Sequence, residues 1–279
     1  MADGKGLPFD LLALDVDGTI CDYSSQIGDR TKRAIQTVEE RGATIVIATG
    51  RRWPTAIRVI EPLEVCRYLI QSNGAVVRRI VDKAVLNSRF ILHETATELF
   101  ALFRANGVIG VWYDTPGRSH KLFVDGETSA NRQLQLYSSS NPAAFVRLDG
   151  FTHLADAMHL VVFGEESALH SVLAELEAAH SDTVRAIQWQ SPRLEGLVLE
   201  VLAKDASKGW GLAWLASQLG VDRDRVVAIG DDVNDVEMLR WAGTGIAMGN
   251  ATGPAKAAAD LVIGHVDEGG LAEYLESVL

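Results

Sequence analysis

Asp15 and Asp17 stand at alternate positions in Asp15-Val16-Asp17-Gly18-Thr19, and three more acids fall within Gly230-Asp231-Asp232-Val233-Asn234-Asp235. Carboxylates grouped in this way can act as nucleophile, as general acid and base, or as oxygen ligands of a hard cation. Thr49-Gly50-Arg51 is a further polar stretch, and Lys208 is an isolated lysine. Gly18 lets the backbone turn sharply, so both acids of the first group and nearby main-chain atoms can converge on one point. Taken alone, an Asp-x-Asp-Gly-Thr stretch is also a common plain turn, because Asp and Gly favour turns for local reasons. The elements around these residues decide between the two readings.

Leu11 to Leu14 is a short apolar run of the kind that forms a strand covered on both faces, and it stops at the first acidic group. Thr31 to Arg41 has Ala34, Ile35 and Val38 on one side and charge on the other, which predicts a helix ended by Gly42. Ala43 to Ala48 predicts a second buried strand, running straight into Thr49. Trp53 and Pro54 open a further helix, and Arg67 to Ile70 predicts a third strand before Ser72-Asn73-Gly74-Ala75. Ser207 can cap a helix through Leu219. Lys208 then lies in the first turn, where a cation is disfavoured by the helix dipole, and this hints at a local anion. Arg225 to Ile229 and Gly243 to Met248 predict buried strands, Asp260 to Ile263 a last one, and a helix begins at about Glu268.

The pattern between them differs. From about Ser88 to Leu202, strand-like segments (Val108 to Tyr113, Lys121 to Val124, His159 to Phe163, Val184 to Trp189) alternate with helical ones (Glu94 to Ala105, Ser167 to Ala179) and are more amphipathic. The expected fold class is therefore α/β, with a Rossmann-like parallel sheet core and an inserted α+β domain. The core spans residues 1–87 and 203–279, and the insertion spans 88–202. If the core strands are parallel, the loops after Leu14, Ala48 and Ile229 emerge on one edge, where ligands collect in open α/β sheets. Five carboxylates would then converge: Asp15, Asp17, Asp231, Asp232 and Asp235. Such crowding of like charge needs either protonation or a cation. Oxygen donors without His or Cys favour a hard ion, and a half-open octahedral site with waters and a phosphate oxygen suits Mg2+.

A chain of 279 residues, 47% of them hydrophobic, can bury a sizeable core, and its length suits two domains. The net charge of −11 argues against a general nucleic-acid grip but not against a small phosphorylated ligand. No apolar run approaches the roughly 20 residues needed to cross a membrane, and Met1 to Asp10 lacks the apolar segment of a secretory signal. A soluble, cytoplasmic protein, monomer or homodimer, is expected. Cys21 and Cys66 have no paired ligand spacing and are expected as buried thiols. His153 and His159 lack a third ligand and are expected to be solvated or satisfied, Trp112 and Tyr113 to be core of the inserted unit, and Trp210 and Trp214 to pack on one helix face.

In order and placement, DVDGT, ATGR, Lys208 and GDDVND resemble the four motifs of the haloacid dehalogenase-like phosphohydrolases. The insertion after SNGA, with AMGNA and DEGGLA, resembles the Cof-type branch with its large second-type cap. The resemblance implies that Asp15 is the nucleophile that forms an aspartyl-phosphate and that Asp17 is the general acid and base. It implies Mg2+ held by an Asp15 oxygen, the backbone carbonyl of Asp17 and Asp231. Thr49 and the Gly50 amide would hold phosphoryl oxygens, Lys208 would neutralise them, and Asn234 would add a hydrogen bond. Asp235 would orient Lys208 or the metal waters. Asp232 stands where many relatives carry a small residue; ligand, supporting group and helix cap are all open, and capping preference favours the cap. One of Arg51 and Arg52 could reach substrate, although ion pairing is the commoner fate of arginines. The implied activity is hydrolysis of a small phosphorylated metabolite, a sugar phosphate foremost, with the cap closing over the core. A sugar phosphomutase and a catalytically silent sugar-phosphate sensor are the alternatives.

Overall fold

The run Leu11–Leu14 forms strand β1, and all four of its side chains are buried, which is why the run is continuous rather than alternating. This computed structural model describes residues 6–22, 26–117, 120–125, 131–139, 142–191 and 193–279. Two compact units divide the chain: Met1–Ser88 with Ser207–Leu279, and Arg89–Ala206.

In the first unit β1 is followed by helix α1 (Asp29–Glu40), β2 (Thr44–Ala48), α2 (Trp53–Ile60), β3 (Tyr68–Gln71), β4 (Val76–Arg79) and β5 (Val85–Ser88). The second unit contains α3 (His93–Ala105), β6 (Ile109–Tyr113), β7 (Leu122–Val124), α4 (Arg132–Ser139), β8 (Phe145–Arg147), β9 (Leu160–Phe163), α5 (Glu166–Ala179), β10 (Val184–Ser191) and β11 (Gly196–Ala203). The chain then completes the first unit with α6 (Lys208–Leu219), β12 (Val226–Gly230), α7 (Val236–Trp241), β13 (Thr244–Ala247), α8 (Gly253–Ala258), β14 (Leu261–Val262) and α9 (Gly270–Val278).

Among the described residues the first unit is built on an eight-stranded sheet in the order β14-β13-β12-β1-β2-β3-β4-β5. It is parallel from β14 to β3 and antiparallel beyond. Strand β1 lies between β2 and β12, with Leu14 opposite both Ile47 and Ile229. The chain steps outward from β1 to one side, and after the second unit it steps outward to the other. Between β1 and β12 the strand order therefore reverses, and the crevice that opens at the carboxyl ends of such strands is where open α/β sheets bind ligands.

The hairpin of β4 and β5 is absent from the sequence expectation. Its entry turn depends on left-handed backbone at Ser72 (φ 50°), Asn73 (φ 52°) and Gly74 (φ 94°), a conformation that residue types alone rarely announce. A Cβ on Gly74 would lie 2.0 Å from the Ser207 carbonyl oxygen, so glycine is what lets this turn sit against the start of α6. Helix α1 starts at Asp29, two residues before the expected Thr31, and α9 starts at Gly270 after a short 3-10 turn at Val266–Glu268.

The second unit has a six-stranded sheet, β10-β11-β9-β6-β7-β8, antiparallel except for β7 with β8. Val184 opposite Ala203 carries this unit beyond residue 202, and Ser88 ends β5 of the first unit. Trp112 is fully buried against Phe100 and stacks on Phe151 at 5.4 Å. Tyr113 is buried beside His159, with ring centroids 3.8 Å apart, whereas His153 is exposed. Trp210 and Trp214 pack on the core of the first unit. Cys21 is buried and Cys66 half-buried, and both are free thiols. No helix among the described residues is long and apolar enough to cross a membrane.

Gly74→Ala is expected to destabilise the protein by more than about 2 kcal/mol, because it adds a clash to left-handed strain. A urea midpoint equal to that of the unsubstituted chain would contradict this account of the turn.

Candidate active site

Strand β1 delivers Asp15 to the carboxyl edge, where the Asp15 N–H donates to the Ile229 carbonyl of β12 at 3.0 Å. The chain then doubles back: the Gly18 N–H donates to the Cys21 carbonyl (2.8 Å), and the N–H groups of Ile20 and Cys21 both donate to the Val16 carbonyl (3.0 Å). Gly18 sits at φ 85°, and a Cβ there would fall 2.2 Å from Asp231 Oδ2. Glycine thus allows both the turn and the close approach of the two acidic loops.

Lys208, at the first turn of α6, is fully buried. Its Nζ donates to Asp15 Oδ1 and to Asp235 Oδ1, each at 2.6 Å. The anion hinted at by a lysine in that helix turn is this pair of carboxylates. Ser207 caps the helix, its Oγ accepting from the Trp210 N–H at 3.0 Å. Asp235 Oδ2 accepts from the N–H groups of Asp231 (2.9 Å) and Asp232 (3.0 Å), so both of its oxygens are engaged. Asp232 accepts from the Val233 N–H at 2.7 Å and forms a capping box with Asp235 at the short turn that leads into α7. The structure thus places Asp232 as a helix cap.

After β2, Thr49 is buried. Its N–H donates to the Ile70 carbonyl (2.8 Å), and its Oγ1 accepts from the Arg51 N–H (3.1 Å). Gly50 follows, and Asn73 lies beside it: a Cβ on Gly50 would be 3.1 Å from Asn73 Oδ1. Asn234 Nδ2 donates to Asn73 Oδ1 at 2.8 Å, while the buried Asn234 Oδ1 has no hydrogen-bond partner among the described residues. The Asp17 carboxylate points to Arg51, which grips it through Nε (2.7 Å) and Nη2 (2.5 Å). Sequence reasoning passed over Thr19, Asn73 and Asn250. Thr19 Oγ1 donates to Asp231 Oδ1 at 3.1 Å; Asn250 Nδ2 donates to the Gly18 carbonyl at 2.8 Å and to Asp231 Oδ2 at 3.4 Å. The signal for Asn73 and Asn250 was their place in short polar loops after β3 and β13, on the same sheet edge.

Burial works against charge on Lys208, but the carboxylates of Asp15 and Asp235 outweigh it and hold the ammonium above its usual range. Burial pushes Asp15 well up, with Lys208 opposing and Asp235 and Asp231 adding to the rise. Asp231 is pushed up to about 7, first by burial and then by the charge of Asp235. Burial, helped by Asp17, raises the Cys21 thiol to about 12, which leaves it protonated and inert.

Asp15, Asp231 and Asp235 each offer a carboxylate oxygen within 4.8 Å of the others. Asp235 accepts from Lys208 and two amides, against two contacts on Asp231 and one on Asp15, so Asp15 and Asp231 are the more open donors for a cation. The main-chain carbonyl of Asp17 takes no hydrogen bond among the described residues. These donors fit a hard divalent cation, and a positive charge there would relieve the crowding that raises Asp231.

A family profile described as haloacid dehalogenase-like hydrolase matches residues 12–275. Among curated relatives, a putative phosphatase of Haemophilus influenzae is 30% identical over 97% of each chain. Phosphatase YwpJ of Bacillus subtilis is 26% identical over 96% of this chain and 99% of its own. 5-Amino-6-(5-phospho-D-ribitylamino)uracil phosphatase YcsE of the same organism is 28% identical over 95% and 94%. A solved haloacid dehalogenase-like hydrolase from Bacteroides thetaiotaomicron superposes with a TM-score of 0.79 at 25% identity, covering 97% of this chain and 100% of its own.

The raised Asp231 carboxyl sets the sign of a pH effect. Its folded value of about 7 exceeds an unfolded value of about 4, so the stability it contributes is present below about pH 4 and is lost as pH rises through about 7. In chelator, the thermal midpoint is expected to fall from about pH 5 to about pH 8 more steeply than that of Asp231→Asn. Added magnesium should recover it at the upper pH and do little at the lower. Parallel pH profiles for the two proteins would count against this electrostatic reading.

Proposed function

The chain belongs to the haloacid dehalogenase-like hydrolase family, in its Cof-type branch, and from that premise we propose a magnesium-dependent phosphatase acting on a small phosphorylated metabolite, foremost a sugar phosphate. The observation that carries the reading is Lys208, which bridges Asp15 and Asp235 beside Asp231 at the carboxyl ends of β1 and β12. The relative named for a 5-phospho-D-ribityl substrate supports a phosphorylated sugar-derived chain as the substrate class.

Asp15 attacks phosphorus; the bond from phosphorus to the leaving oxygen breaks, and Asp17 donates a proton to that oxygen. A water then attacks the phospho-Asp15 intermediate and gives its proton to Asp17. The bond from phosphorus to Asp15 breaks, which frees inorganic phosphate and restores the carboxylate. Magnesium bound by Asp15, Asp231 and the Asp17 carbonyl would supply the charge neutralisation that lets one anion approach another. Lys208, the Thr49 hydroxyl, the Gly50 N–H and Asn234 hold the phosphoryl oxygens and stabilise the charge that builds on them. Asp235 orients Lys208, and the inserted unit, Arg89–Ala206, acts as the cap that selects the leaving group.

Turnover of p-nitrophenyl phosphate with magnesium, followed by a panel of sugar phosphates, tests this directly. Asp15→Asn should lose at least about a thousandfold in kcat with its fold intact. Activity that survives Asp15→Asn would overturn the nucleophile assignment, and a requirement for a sugar bisphosphate activator would instead identify a mutase.

A further inference from the structure

Arg51 is anchored on both sides of its Cα. Its N–H donates to Thr49 Oγ1 at 3.1 Å, and its carbonyl accepts from the Ser72 N–H at 3.1 Å. The base of the side chain is thus tied to the loop that carries Thr49 and Gly50. From there the side chain, 22% exposed, forks its guanidinium onto Asp17 with Nε on one carboxylate oxygen and Nη2 on the other. The Asp17 side chain is 40% exposed, and among the described residues no other side chain holds its carboxylate. A carboxylate in that setting would otherwise sample several rotamers. A bidentate guanidinium fixes both its position and its plane, which a lysine ammonium cannot do.

Resting on the phosphatase reading above, we propose that Arg51 is a positioning residue that holds the Asp17 carboxylate in the orientation needed to take a proton from the water attacking phospho-Asp15. In that step the water oxygen bonds to phosphorus, and the proton it loses passes to an Asp17 oxygen. The bond from phosphorus to Asp15 breaks with its electron pair left on the Asp15 carboxylate. Arg51 touches neither the water nor phosphorus; it acts by keeping the base at high effective concentration. The arrangement also links phosphoryl binding at Thr49 and Gly50 to base placement through three residues of one loop.

The test uses p-nitrophenyl phosphate, whose leaving group departs without a proton, so that formation of phospho-Asp15 does not depend on Asp17. In Arg51→Gln, the first turnover of p-nitrophenolate should stay near the wild-type rate, while steady-state turnover falls about 10- to 100-fold. A burst equal to the enzyme concentration should then appear, and phosphoprotein should accumulate in acid-quenched samples. Arg51→Lys should fall between the two, and added guanidinium ion should restore part of the steady-state rate to Arg51→Ala. If burst and steady-state rates fall together with a raised KM, Arg51 binds the phosphoryl group and the proposal fails. Unchanged kinetics in Arg51→Gln would also overturn it. Should Arg51→Gln melt below the assay temperature, Arg51→Lys carries the same readout: an unchanged ratio of burst to steady-state rate refutes the proposal, and a raised ratio supports it. Absence of turnover in the wild type would instead overturn the phosphatase reading itself.

Discussion

Everything at the carboxyl edge of the sheet depends on a buried ammonium among carboxylates. Lys208 has no contact with solvent, and neither has Asp235; Asp15 has almost none. Removing charges from water is expensive, and such a group persists only when its partners and hydrogen bonds are complete. The Lys208 ammonium is matched by two carboxylates at 2.6 Å, and Asp235 is satisfied further by two amides. What the protein does not balance by itself is the remaining negative charge on Asp15 and Asp231. In the proposed phosphatase, that imbalance is what a bound cation would offset.

The fold delivers this imbalance by simple means. Parallel strands place the ends of β1, β2 and β12 in line, and the reversal of strand order at β1 opens a crevice there. Each loop then adds one kind of group: Asp15 and Asp17 after β1, Thr49 and Gly50 after β2, Asp231 and Asp235 after β12. Two more loops act as braces. Asn250, after β13, ties the Gly18 carbonyl to Asp231, and Asn73, after β3, ties into Asn234. The inserted unit leaves the sheet after β5 and returns at α6, and β12 still pairs with β1 in continuous register from Leu11 opposite Val226 to Leu14 opposite Ile229.

Much of the core was legible because its signals are local. A buried strand, a capped helix and a polar loop at a strand end all declare themselves within ten or so residues, and the segments from β1 to β3 and from α6 to β13 were readable to within a residue or two. The hairpin of β4 and β5 was not, since it follows from left-handed backbone at Ser72 and Asn73 and from pairing with β3. Nor were α4 and β8, which are short and weakly patterned and are held by their neighbours in the second unit.

By itself the sequence determined which chemical groups this protein possesses and on which strand ends they sit, because residue type, hydrophobic period and chain order are properties of the chain before it folds. Only the tertiary structure decided who holds whom. Thr19 reaches Asp231 across 212 positions of sequence, Asn234 reaches Asn73 across 161, and Arg51 reaches Asp17 across 34. Contacts of that kind are set by strand register and by how closely loops can approach one another, and neither quantity exists until the sheet has formed.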